Sequence, residues 1–134
     1  MNGYALDTNT ISFILRGDKC LQKKVYDEVN GGISVVIPPI AYYEIKRGLI
    51  ANQAQNKLKA FERLYGLLGV DFMDVDTLDK AAGIYAALKK VGRLVDDADI
   101  LIAASCLSHG YTLITNNVKH FERIDGLQHE NWIE

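Results

Sequence analysis

The sequence is short of the features that mark several large protein classes. Its 134 residues hold two cysteines, Cys20 and Cys106, and two prolines. Neither cysteine belongs to a closely spaced pair, which removes the usual sulfur-rich zinc sites. Both fall in segments that read as helix and are expected as reduced thiols at or near the core. His109, His120 and His129 lie toward the C-terminal end without a partner ligand at metal spacing. No apolar run reaches the roughly 18 residues of a membrane span. The first nine residues lack the basic start and apolar stretch of a signal peptide. The expectation is a cytoplasmic protein without membrane contact. Positive charge is lacking too: 15 Lys and Arg stand against 17 Asp and Glu, a formal net charge of −2. That excludes broad, charge-driven nucleic-acid binding. It leaves room for a local contact, for which Lys46, Arg47, Lys119 and Arg123 are the candidates.

What is present describes an ordinary globular domain, 49% hydrophobic and 24% charged, of a size for one core. A short apolar run, Gly3 to Leu6, ends at Asp7-Thr8-Asn9-Thr10, a cluster suited to starting a helix. Helical spacing follows to Gly17 and again from about Cys20 to Asn30. Ile33 to Ile37 is β-branched and nearly all apolar, as in a strand covered on both faces. Pro38-Pro39 then opens a helix carrying Ala41, Ile45 and Leu49 on one face. A longer helix from about Ala54 to Leu68 aligns Leu58, Phe61, Leu64, Tyr65 and Leu68. Val70 to Val75 alternates like a strand. Asp76 or Thr77 can cap a helix carrying Leu78, Ala81, Ala82, Tyr85 and Leu88. Another helix runs from Asp97 to about Ser108, a strand from Tyr111 to Thr115, a helical turn around Val118 to Phe121, and an extended end near Trp132-Ile133. Strands alternating with helices predict an α/β fold with a parallel sheet of about four or five strands and helices on both faces. In such sheets, sites form just beyond the C-terminal ends of the strands.

Three acids stand out against that frame. Asp7 follows the first strand directly. Capping could explain it, although Thr8, Asn9 and Thr10 could each cap as well. Glu44 lies early in the helix after the second strand, at the border of its apolar face. An exposed pairing with Lys46 or Arg47 would also account for it. Asp99 opens the run Ile100-Leu101-Ile102-Ala103-Ala104, so it begins a buried helix. A capping box with Asp96 is the simpler reading there, with Asp97 left to solvent or the rim of a site. Three carboxylates meeting at about 4 Å in an effective dielectric near 20 would repel by roughly 4 kcal/mol per pair. Such a cluster calls for bound cations or for raised pKa values. Ligands that are all oxygen select Mg2+ or Mn2+ over zinc, and a divalent ion there suits phosphoryl transfer.

Four segments in order carry a family resemblance: Leu6-Asp7-Thr8-Asn9, Tyr43 to Gly48 around Glu44, Asp99-Ile100-Leu101-Ile102-Ala103-Ala104, and Thr115-Asn116-Asn117 followed by Phe121 to Ile124. Together they resemble the PIN-domain family, and the ending from Gly126 to Trp132 resembles that of its VapC-type toxins. The resemblance covers residues 1–134 as one PIN-like (Rossmann-like) domain. It implies a Mg2+-dependent endoribonuclease, with Mn2+ as an alternative ion, that leaves 5′-phosphate and 3′-hydroxyl ends on a tRNA, rRNA or mRNA substrate. It also implies a cognate VapB-like antitoxin and a homodimer. Asp7, Glu44 and Asp99 would be the catalytic acids around the metal, Glu44 acting through water. Thr8, Asn9, Thr115 and Asn117 would support them. Asn117 stands where many relatives carry Asp, which favours one metal over two. Tyr42, Tyr43, Lys46, Arg47 and Lys119 are candidates for the RNA path. A non-catalytic PIN-like module that binds RNA or protein is the alternative. A receiver-like signalling domain fits poorly, because Pro38 follows the second strand and Asn116 follows Thr115.

Overall fold

The computed structural model describes residues 2–133. Four strands form one sheet in the order β2-β1-β3-β4: β1 is Gly3–Leu6, β2 Val35–Val36, β3 Tyr111–Ile114 and β4 His129–Glu130. Every pairing is parallel. The helices are α1 Thr8–Leu15, α2 Lys19–Asn30, α3 Pro39–Ala51, α4 Gln55–Leu68, α5 Val75–Lys90, α6 Asp97–His109 and α7 Val118–Phe121. This is the α/β architecture expected from the alternation of strands and helices.

The central strands β1 and β3 register Gly3 on Tyr111 and Leu6 on Ile114. Leu6, Leu113 and Ile114 are fully buried, as continuous apolar strands covered on both faces should be. Ile11, Leu21, Phe61, Ile102 and Phe121 close over them from the helices. The chain leaves β1 at Asp7 and β3 at Thr115, so both residues sit side by side at the middle of the sheet's C-terminal edge. The Asp7 amide donates to the Ile114 carbonyl at 2.9 Å and fixes that juxtaposition.

Several local expectations are corrected. Val70 to Val75 is no strand. Val70 makes a single bridge to Ile37, after which the side chain of Asp71 bonds His109 and Asp74 turns to cap α5. The cap of that helix is therefore Asp74, with Asp76 and Thr77 inside it. Its buried residues are Thr77, Ala81 and Leu88, while Leu78, Ala82 and Tyr85 face solvent. Tyr65 is likewise exposed on α4. The strand foreseen at 33–37 shrinks to Val35–Val36, with Ile33 exposed. The last strand falls at His129–Glu130, ahead of Trp132-Ile133, because it pairs there with Leu113 and Ile114. Cys106 is buried as expected, but Cys20 is exposed: α2 turns Leu21 and Val25 inward and leaves Cys20 outside.

Candidate metal centre

Asp7 is the most buried of the three acids, at 3% exposure. It is the N-cap of α1, so the neighbouring residues do not make it redundant for that role. Its Oδ1 accepts from the Thr8 amide at 2.8 Å, one residue closer than the usual capping partners. Its Oδ2 accepts from the Thr115 hydroxyl at 2.7 Å. That hydroxyl also accepts from the Asn117 amide at 2.9 Å and lies 3.4 Å from the Asn9 side-chain nitrogen. Asn9 Oδ1 in turn accepts from the Asn116 amide at 3.3 Å. Thr115 is thus a hub that ties the end of β3 to the acid at the end of β1.

Glu44 approaches from α3. The Thr8 hydroxyl donates to its Oε1 at 2.9 Å, while Arg47 stands 3.9 Å from Oε2. Asp99 lies in the first turn of α6. Asp96 occupies the N-cap position of that helix, but its side chain makes no capping hydrogen bond, contrary to the capping role expected of it. Asp97 is exposed, as expected. The Asp99 side chain is 17% exposed, and its Oδ2 lies 3.0 Å from Nδ1 of His120 on α7. The same nitrogen is 2.8 Å from the Asn117 side-chain amide. Reading the sequence left His120 without a partner. The signal was there in the spacing of Asn117 and His120, three apart and so neighbours on one helical turn.

Burial, with added repulsion from Asp99 and Glu44, raises the Asp7 carboxyl to about 6, against the opposing pull of the Thr115 and Thr8 hydrogen bonds. Among the described residues no Lys or Arg forms an ion pair with Asp7. A buried acid beside two others without a basic partner is the environment a hard cation relieves. Among the described residues no three His, Cys, Asp or Glu side chains form a group close enough to enclose an ion together. Mg2+ does not require that: it keeps several waters and is commonly held by one or two carboxylates. The donor set at Asp7 and Asp99 therefore fits Mg2+ or Mn2+.

The candidate RNA contacts divide. Lys46 is half-buried and folds over the Tyr42 ring at 5.6 Å, and Tyr42 packs on Phe61 and Tyr65. Tyr43 is 57% exposed, with the Arg47 guanidinium 5.1 Å from its ring centroid. Lys119 is exposed on α7. A shallow cleft beside Glu44 is also lined by Thr8, Arg16, Asn52 and Lys57. Arg16 and Lys57 were not foreseen there, since they lie outside every motif.

Comparison with known proteins bears on the family and the fold. The PIN domain family model matches residues 4–127. The chain is 32% identical over 103 residues to ribonuclease VapC1 of Methanocaldococcus jannaschii, covering 77% of this chain and 71% of the relative. It is 29% identical over 130 residues to ribonuclease VapC1 of Haemophilus influenzae strain R2866, covering 96% and 97%. The structure of DNA-bound VapBC from Salmonella typhimurium superposes with a TM-score of 0.90 at 27% identity, covering 99% of this chain and all of that one.

Proposed function

The chain belongs to the PIN-domain family as a VapC-type ribonuclease, and on that premise we propose that it is a Mg2+-dependent endoribonuclease toxin held in check by a VapB-like antitoxin. The observation that carries the metal dependence is Asp7, buried between other acids with no basic side chain to neutralise it. Asp7 and Asp99 would hold the ion, with Mn2+ as its substitute. When bound, the ion supplies charge neutralisation at the phosphodiester and lowers the pKa of coordinated water.

The chain's own residues do the rest. The Thr8 amide and the Thr115 hydroxyl each hold one oxygen of Asp7. Thr8 also holds Glu44 through its hydroxyl, so one residue sets the spacing of two acids. Glu44, in this reading, would accept a proton from the attacking water. Attack in line on phosphorus forms a new P–O bond and breaks the bond to the 3′ oxygen. The 3′ oxygen leaves with a proton, giving 5′-phosphate and 3′-hydroxyl ends. Arg47 and Tyr43 offer a charge and a ring face for the RNA strand, and Lys119 offers a second charge. The functional unit is proposed as a homodimer in the cytoplasm; no described helix is long and apolar enough to cross a membrane.

Two measurements test this. Structured RNAs, tRNAs included, should be cut by the purified chain with Mg2+ or Mn2+ and left intact with a chelator. Cutting at full rate in the chelator would remove the metal from the account. Co-expression with the product of a short adjacent reading frame should yield a complex that no longer cuts. A chain that never associates with that product would remove the toxin role.

A further inference from the structure

His120 belongs to no step described so far, yet it joins two of the site's residues. It stands on α7 beside Phe121, which is fully buried and anchors that turn in the core. Two residues beyond Phe121, Arg123 donates from Nη1 to the Leu94 carbonyl at 3.3 Å, tying the segment to the loop before α6. The imidazole itself is 39% exposed. Its Nδ1 faces both Asp99 Oδ2 at 3.0 Å and the Asn117 amide at 2.8 Å.

One nitrogen cannot serve both partners as they are drawn. An imidazole nitrogen either donates or accepts. An ionised Asp99 only accepts, so the bond to it needs a hydrogen on Nδ1. The Asn117 amide must then present its oxygen to that N–H, an exchange of O and N that leaves every heavy atom in place. The opposite arrangement, Nδ1 accepting from Asn117, would press two acceptors together with no proton between them.

We propose that His120 is a positioning residue for Asp99: its Nδ1–H grips Oδ2 and fixes the carboxylate, leaving Oδ1 for the cation. Oδ1 has no hydrogen-bond partner among the described residues. Asp7 is held by Thr8 and Thr115 and Glu44 by Thr8, whereas Asp99 is held through its side chain by His120. Groups that orient a metal-binding carboxylate in this way typically change affinity or rate 10–100-fold when removed. The inference rests on the metal-dependent reading above and deepens it.

The test uses His120→Ala, His120→Asn and His120→Gln in the full chain. Asn can return an N–H near the place of Nδ1, while Gln returns one near Nε2. Mn2+ binding by calorimetry without RNA, kcat and KM on a cleaved RNA, and melting temperature are read for each. His120→Ala is expected to weaken Mn2+ binding about 10-fold or more and to lower kcat, with KM and melting temperature close to wild type. His120→Asn should recover most of both losses and His120→Gln little. Wild-type Mn2+ affinity in His120→Ala would overturn the proposal, and a loss confined to KM would reassign the ring to RNA. Recovery by Gln and not by Asn would overturn it as well. A wild-type chain that neither binds Mn2+ nor cleaves RNA with it would instead sink the metal-dependent reading, and this inference with it.

Discussion

A single buried carboxyl group, the one proposed to hold the metal, weakens the fold around it. Asp7 titrates near 6 when folded, against about 3.9 for an unperturbed Asp. The folded chain therefore binds this proton more tightly than the unfolded chain. Without metal, stability must fall as pH rises from about 4 through 6, by on the order of 3 kcal/mol in total. Asp7→Asn removes the charge and keeps an acceptor for the Thr115 hydroxyl. In chelator, that variant should resist denaturant better than wild type at neutral pH, with the gap closing toward pH 4. Equal stability at both pH values would contradict the buried, unpaired charge. At this scale the sequence was informative where a residue's place follows from one strand end, as for Asp7 and Thr115. It was silent on His120, because contact with Asp99 needs α6 and α7 to pack, across 21 residues of chain.

Elements were legible where periodicity had only one reading. The helices α1 to α4 and α6 fall within a residue or two of their expected bounds, since turn signals such as Gly17, Pro38-Pro39 and Gly110 end or begin them. Val70 to Val75 misled because alternation alone resembles a strand, yet a strand also needs a neighbour with free backbone groups. Ile37 supplies one such step and then enters α3. The α5 register misled because Thr77 is buried where an apolar residue would ordinarily be sought; it bonds the capping Asp74 through both amide and hydroxyl. Gly3 carries a requirement that a composition count hides. It opens β1 at a positive φ of 145°, and a Cβ there would run into the Ser34 carbonyl. That carbonyl accepts from the Tyr4 amide and joins β1 to the segment before β2. Gly3→Ala should lower stability by roughly 1–3 kcal/mol from backbone strain alone. Chemical denaturation would measure it, and an unchanged midpoint would show that this edge of the sheet yields easily.

Over the whole molecule, the four-stranded parallel order gathers what the sequence disperses. Residues 7, 44, 99, 115 and 120 lie far apart along the chain and meet because β1 and β3 are central neighbours with α3 and α6 packed beside them. The sequence carried this in the order of its motifs and in the parallel arrangement that alternating elements imply. It could not carry the sheet order itself, which depends on pairings between residues more than a hundred apart. A net charge of −2 also has a consequence at this scale. Few phosphates can be neutralised at once, so RNA affinity should depend steeply on Mg2+ and weakly on monovalent salt. A filter-binding series in KCl checks this, and a steep salt slope implying many phosphate contacts would contradict it.

The most direct test of the site compares wild type, Asp7→Asn and Asp99→Asn for Mg2+-dependent cleavage of one RNA substrate, each purified identically. Each variant should lose cleavage by about a hundredfold or more, the loss expected when a group acts on the transition state by 2.7 kcal/mol or more. Both should remain folded. Equal cleavage by all three proteins would contradict the account, because the activity would then belong to something other than these carboxylates.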